Sequence, residues 1–293
     1  MAALSYYIAL PFLYLLSVLP FRALYLLSDV FCLFLYHVIG YRKKVVFDNL
    51  RNSFPDKTDS EIKAIRKHFY RYFCDLFLET FKTLTISRAS MLKHCSMDPA
   101  AETLFNGYAA ENKSIVVVMG HYGNWEWAGN TFSLRCKHQL YVIYHPLRNP
   151  HFNRLTIKMR TRFGTKLIAM KDTFRDMVQN RGHLSATAFI ADQTPSPDKA
   201  YWMNFLNQDT PVFPGTERIA QKMNYPIVYV SIKKIKRGYY TLTADTLKMP
   251  PYNAIREGEI TEAHTKRLEA DIISNPETWL WTHRRWKHKR PNQ

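Results

Sequence analysis

Val116-Val117-Val118 is an unbroken β-branched run that ends at Gly120 with His121 directly behind it. Consecutive apolar residues cover both faces of a strand, so this run predicts a central strand of a parallel sheet with helices on either side. The segments around it alternate in the same way. Leu140–Tyr144 and Leu184–Ala191 read as further strands, Asn153–Phe163 and Asp172–Gln179 as helices, and Glu259–Ser274 as the last long helix. Tyr225–Ile232 and Tyr239–Ala244 are expected to pair around a basic turn, Lys233–Gly238. Before them, Thr58-Asp-Ser-Glu61 is a capping-box pattern, and Ile62, Ile65, Phe69, Phe73, Leu76 and Phe77 recur at helical spacing to about Lys82. The expected fold is α/β: a mixed, mostly parallel central sheet flanked by helices. Thr194–Gly215, dense in Pro, Asp and Asn, reads as a long loop, a candidate lid or substrate-contacting segment.

The N-terminus is different in kind. Residues 1–21 carry no charged side chain, and Arg22 and Asp29 are the only charges before Arg42. Such a stretch has the length of a membrane span, but Pro11, Pro20 and Asp29 also permit a hairpin lying in one leaflet. No basic region precedes the apolar run and no clear small-residue site follows it, so a signal peptide is not expected. Arg42-Lys-Lys44 directly behind it predicts a cytoplasmic remainder. The chain therefore divides into an anchor, 1–41, and one domain, 42–293; a soluble buried helical hairpin is the alternative for the first. The formal charge of +17 calls for an anionic partner: nucleic acid, lipid headgroups or an acidic protein. Cys32, Cys74, Cys95 and Cys136 are scattered, which excludes a zinc ribbon or disulfide framework and suits a reducing compartment. The histidines lack zinc-ligand spacing, so no metal is expected.

His121 and Glu126 stand just beyond a strand's carboxyl end, where open α/β sheets place their ligands. On one helix they would point roughly 140° apart. They can meet only across a strand-to-helix turn, His121 in the turn and Glu126 in the helix's first turn. There Glu126 would orient the imidazole, making His121 a general base; a hydrogen-bonded turn histidine is the plainer reading. His145 and Asp192 also follow expected strands, so the three blocks could converge at one sheet edge, or His145, Asp192 and Gln193 could simply cap turns. The tail Trp279–Arg290 interleaves aromatics with cations, a pattern that suits single-stranded nucleic acid, a membrane interface or an acidic carrier protein. Gly-x-Ser-x-Gly is absent, so no nucleophile elbow is expected.

Gly120-His-Tyr-Gly-Asn-Trp-Glu126 resembles the His-x-x-x-x-acid motif of the glycerolipid acyltransferases, and its surroundings resemble the bacterial lipid A late acyltransferase family. Four further blocks occur in that family's order: Asp48–Pro55, Tyr144–Pro150, Ala191-Asp-Gln193 with Pro214-Gly-Thr216, and Pro276–Lys287. The resemblance implies a membrane-associated enzyme on the cytoplasmic face of a bacterial inner membrane. It would move a fatty acyl chain from an acyl carrier protein thioester to a hydroxyl of a lipid A precursor, with no further cofactor. His121 and Glu126 would be catalytic; Asn124, His145, Arg148, Asn149, Asp192, Gln193, Arg284 and Arg285 would bind substrate, the last two as anion contacts. The oxyanion would be met by Arg148, Asn149 or amides near Gly120 or Gly215. One departure stands out. His145 occupies a place where the family usually has Arg, and His does not grip an anion dependably at neutral pH. That leaves open another lysolipid or an aminolipid as acceptor. A non-catalytic basic protein binding membrane or nucleic acid is the rival from another class.

Overall fold

The computed structural model describes residues 2–291, so the outermost ends of the segments 1–41 and 42–293 lie outside it. Its helices are α1 (Ala2–Val18), α2 (Phe21–Leu33, continued by a π-helical turn Phe34–Ile39), α3 (Lys43–Ser53), α4 (Asp59–Lys82), α5 (Arg88–His94), α6 (Pro99–Ala110), α7 (Trp125–Arg135), α8 (Pro150–Thr161), α9 (Thr173–Gln179), α10 (Gly215–Met223) and α11 (Glu259–Ser274). Its strands are β1 (Cys95–Met97), β2 (Ile115–Met119), β3 (Gln139–Tyr144), β4 (Lys166–Ala169), β5 (Ser185–Ile190), β6 (Tyr201–Phe205), β7 (Gln208–Val212), β8 (Ile227–Lys236) and β9 (Tyr239–Lys248). The capping box forms: the Thr58 amide donates to Glu61 Oε2 at 2.8 Å, and the Glu61 amide donates to Thr58 Oγ1 at 3.3 Å.

Seven strands form one sheet in the order β1-β9-β8-β2-β5-β3-β4. The five from β8 to β4 are parallel; β9 runs against β8, and β1 follows β9. β2 lies between β5 and β8 and is buried along its whole length. Its side chains alternate between two cores. Val116 and Val118 pack with α3, α4, α10 and α11 on one face, Ile115, Val117 and Met119 with α5, α6 and α7 on the other.

Two expected segments differ. Thr194–Gly215 is not an open loop, because β6 and β7 pair inside it as a hairpin turning at Leu206-Asn207, both in the left-handed region (φ 50° and 61°). That turn lacks the glycine that would have marked it in the sequence. Phe205, Leu206 and Val212 are buried, so this hairpin is core rather than a lid. β8 and β9 also run longer than expected, turning tightly at Arg237-Gly238. Gly238 has φ 74°, and a Cβ there would lie 2.0 Å from the Tyr25 hydroxyl of α2. Glycine thus lets this turn seat against the N-terminal helices.

Candidate active site

The register of β2 against β5 builds the site. Met119 pairs with Ile190, and the Ala191 amide extends the ladder by donating to the Met119 carbonyl. His121 and Asp192 each stand two residues further on, at the same level beyond adjacent strand ends. From here the chain leaves β2 toward β3 on one side and β5 toward β8 on the other. That is the switch point at which doubly wound sheets bind ligands.

His121 Nδ1 and Asp192 Oδ1 are 2.6 Å apart. Asp192 Oδ2 accepts from the His121 amide at 2.9 Å and from Trp279 Nε1 at 2.8 Å. Burial alone would push this carboxyl up, but the facing His121 and these donors outweigh burial and hold it down at about 2. A carboxylate accepting from Nδ1–H leaves His121 Nε2 as the lone-pair nitrogen. The nearest side-chain donor to it is Gln193 Nε2, at 3.4 Å. The Trp125 ring closes the other side, edge-on to the imidazole at 5.0 Å between centroids.

His121, Trp125 and Gln193 open onto a cavity of about 690 Å³, lined mostly by apolar side chains. It runs between the sheet and helices α7 and α8, past Ile190 and Ala188 on β5 to Val117 on β2 and Leu140 on β3. Thr80, Thr156 and Thr165 are among its polar walls; among the described lining residues there is no Ser or Cys. No group of three or more His, Cys, Asp and Glu side chains converges among the described residues.

Glu126 also faces this cavity, but it does not hold the imidazole. Its carboxylate is gripped from two sides by Arg160 of α8, with Nε at 2.9 and 3.1 Å from the two oxygens. Five residues along, in the first turn of α7, the side chain has rotated toward α8, and Asp192 on the neighbouring strand takes the orienting place. Asp192, expected as a substrate contact, is therefore the partner of His121 and is almost inaccessible, its side chain 3% exposed.

The turn carrying His121 is braced from beneath. Gly123 has φ 60°, and a Cβ would sit 2.2 Å from the Ile232 carbonyl, so only glycine fits. Tyr72 donates to the Gly123 carbonyl at 2.6 Å. Asn124 caps α7 by accepting from the Trp127 amide and donates to Glu79 Oε2 at 2.8 Å, so it is a scaffold residue, not a substrate contact. Glu79, fully buried, also accepts from Tyr25 and Tyr240 at 2.8 Å each. Burial pushes its carboxyl up to about 7, against the pull of these donors. Replacing Glu79 by Ala strands the buried Tyr240 and Asn124 donors and the part-buried Tyr25 hydroxyl, at about 1–3 kcal/mol for each buried one. Denaturation of the Glu79→Ala protein in detergent is expected to show a loss of about 3 kcal/mol or more; wild-type stability would remove Glu79 from the scaffold.

The remaining expected residues are placed as follows. His145, exposed, lines the cavity mouth with its Nδ1 3.0 Å from the Pro146 carbonyl. Asn149 caps α8, accepting from the His151 amide at 3.0 Å and the Phe152 amide at 3.4 Å. Arg148 and Arg284 are exposed and outside the lining of the cavity. Arg285 is no surface anion contact: it is 1% exposed, and its Nε and Nη1 have no partner among the described residues. It lies behind Asp192 in a separate pocket of about 10 Å³, where burial lowers its pKa to about 10 against the pull of that carboxylate. The tail is no open aromatic strip either. Trp279 and Trp281 are buried, 4.7 Å apart edge to face, and Asn49 of α3 donates to the Trp281 and His283 carbonyls at 2.9 and 3.0 Å. Those rings are unavailable for stacking on bases. Glu217 caps α11 from a distance, accepting from the Gly258 and Thr261 amides at 2.8 and 2.9 Å.

Three residues of this site had no assigned role in the sequence. Glu79 was detectable, like Asp75 one turn earlier, as an acid within an apolar helix stretch, and Trp279 as part of the C-terminal block. Arg160 carried no signal, because its role depends on how α7 and α8 pack.

The sheet, the switch-point pair and the apolar cavity beside it have the form of an α/β enzyme site. A family model described as bacterial lipid A biosynthesis acyltransferase matches residues 1–288. The chain belongs to that family, and with it to the acyltransferases that act on a lipid acceptor. No curated protein matches the chain by sequence.

Proposed function

We propose that this protein transfers a fatty acyl chain from an acyl carrier protein thioester to a hydroxyl of a lipid A precursor, at the cytoplasmic face of a bacterial inner membrane. The observation that carries this reading is the opening of His121, held from behind by Asp192, directly onto a 690 Å³ apolar cavity. A cavity of that size and lining suits a fatty acyl chain, with the thioester held at the mouth.

The chemistry follows from the free nitrogen. His121 Nε2 removes the proton from the acceptor hydroxyl, and that oxygen attacks the thioester carbonyl. The carbonyl electrons become an oxyanion; the amide of Gln193, whose Nε2 is 3.4 Å from His121 Nε2, is the side-chain donor placed beside this chemistry. Collapse forms the ester and expels the carrier's thiolate, which takes the proton back from His121. Asp192 stabilises the transient imidazolium without itself accepting a proton. No serine or cysteine among the described lining residues stands where an acyl-enzyme would form, which supports direct transfer between two bound substrates. His145 at the mouth favours one variant of this reading, in which another lysolipid or an aminolipid replaces the lipid A precursor.

The purified protein given acyl carrier protein thioester and lipid A precursor is expected to yield a product heavier by one acyl chain, and coenzyme A thioesters test the donor. No product with any lipid acceptor would contradict the reading. Ala188, in register with Val117 and Val142, stands in the middle of the cavity wall. Ala188→Leu should disfavour the longest accepted donor by about tenfold or more while sparing shorter ones. An unchanged chain-length profile would place the acyl chain elsewhere.

A further inference from the structure

Phe21–Ile39 is long and apolar enough to cross a membrane by length and composition. Its packing argues for another arrangement. α2 lies along α4: Tyr25 donates to Glu79, Ser28 donates to Asp75 at 2.7 Å, and Tyr36 meets Tyr70 at 5.0 Å between centroids. Arg237, on the β8–β9 turn, bridges Asp29 of α2 and Asp75 of α4 at 2.8 and 2.7 Å. α1 lies along α8 in the same manner. The Tyr6 ring stacks on His151 at 5.3 Å, and eight residues later Tyr14 accepts from Lys158 at 2.7 Å. The break between the two helices is held by Lys82, which donates to the Ser17 and Leu19 carbonyls at 2.8 and 2.6 Å.

Neither helix can therefore enter hydrocarbon alone. Pushing α2 through a bilayer would carry Asp29, Asp75 and Arg237 with it, and then the charged half of α4, which includes Lys63, Arg66, Lys67 and Arg71. Pushing α1 through would carry Arg154 and Lys158 of α8. Each such charge at bilayer depth is strongly unfavourable. The outward faces are of opposite character: Leu4, Phe12 and Leu15 on α1, and Leu26, Val30 and Val38 on α2, are all more than half exposed. Exposed cations stand at both ends of α2, Arg22 at its start and Arg42 and Lys44 just beyond its end.

We propose that α1 and α2 form one in-plane seating surface for an anionic lipid bilayer, both lying at the headgroup–acyl boundary of a single leaflet, with neither crossing it. Apolar outer faces reach into the acyl region, while the basic residues at the helix ends contact anionic headgroups. α1 meets Phe152, which also lines the acyl cavity, and Leu147 and His145 complete that side of the mouth. The seat thus puts the cavity mouth at the bilayer surface, where an acceptor lipid can be drawn up from the leaflet without leaving it. The inference rests on membrane association, not on which reaction the site performs.

Depth-dependent quenching tests it on the full chain. Fluorophores are attached at Leu4→Cys, Phe12→Cys, Leu26→Cys and Val38→Cys, one at a time, in a Cys32→Ser, Cys136→Ser background. The labelled proteins are bound to vesicles containing phosphatidylglycerol, with nitroxide-bearing lipids reporting depth. All four labels are expected at one shallow depth, about 5–10 Å below the headgroups. Binding is expected to weaken as salt rises or when phosphatidylglycerol is replaced by phosphatidylcholine. A spanning α2 would separate Leu26 and Val38 by about 18 Å in depth, twelve residues at 1.5 Å each, and that result would overturn the proposal. So would failure of every labelled protein to bind vesicles. Both readouts are independent of acyl transfer, so they stand or fall apart from the proposed reaction.

Discussion

His121→Ala is expected to lower kcat for acyl transfer by about 10²- to 10⁴-fold, the contribution of a positioned general base. The substitution removes a side chain that is only part-buried and whose hydrogen bonds run to Asp192 and Gln193. Asp192 keeps the His121 amide and the Trp279 indole as donors, so the carboxylate is not left unpaired. Folding and vesicle binding should therefore persist, and KM for the acyl donor should change little, because the cavity walls are untouched. Steady-state kinetics beside a sedimentation assay with vesicles separates these effects. Full activity in the substituted protein would exclude His121 as the base.

Asp192→Asn is expected to cost about as much, for a reason specific to this geometry. Oδ2 accepts from two N–H groups, so the amide oxygen of Asn must take that place and its NH₂ must turn toward His121 Nδ1. An NH₂ facing Nδ1 forces the imidazole proton onto Nε2 and removes the lone pair that the reaction needs. A fall of about 10²- to 10⁴-fold in kcat with nearly native folding is the expected outcome. On the His121→Ala background the same change should add almost nothing, because the two residues act as one unit. Glu126→Gln should behave differently. Its partner is Arg160, so its effect should couple to Arg160→Gln in a double-mutant cycle and should not vanish on the His121→Ala background. Additive effects of Asp192→Asn and His121→Ala would break the dyad.

The Asp192 carboxylate also gives the fold an acid signature. Its folded value of about 2 lies below the ordinary 3.8, so it contributes stability above about pH 4 and loses it as pH falls toward 2. Asp192→Asn should flatten that part of a stability–pH curve; an unchanged acid limb would mean the carboxylate is not held as the geometry implies.

Much of this molecule was readable from the chain because local chemistry fixed it. The Val116–Val118 run gave a central strand, and Thr58 with Glu61 marked where α4 begins. The β6–β7 hairpin was hidden, since its turn uses Leu206 and Asn207 in a conformation usually signalled by glycine. The site was half legible. His121 could be placed beyond a strand end, and so could Asp192, but their pairing depends on β5 lying beside β2, although β3 follows β2 in sequence. Strand order is set by packing over the whole sheet, so a window around His121 points to Glu126 instead. Burial misled in the tail for a similar reason. Aromatics interleaved with cations look exposed in sequence, yet Trp279, Trp281 and Arg285 are buried, with Trp279 donating to Asp192 and Arg285 lying beside that carboxylate.

The central claim is that His121, held by Asp192, drives acyl transfer onto a lipid. Mass spectrometry of total lipids from cells carrying the wild-type chain, the His121→Ala chain or neither tests it most directly. The account predicts a lipid A species heavier by one acyl chain only with the wild type, and identical profiles for the other two. The same acylated species in cells with His121→Ala, or no lipid that differs between wild-type and empty cells, would contradict it.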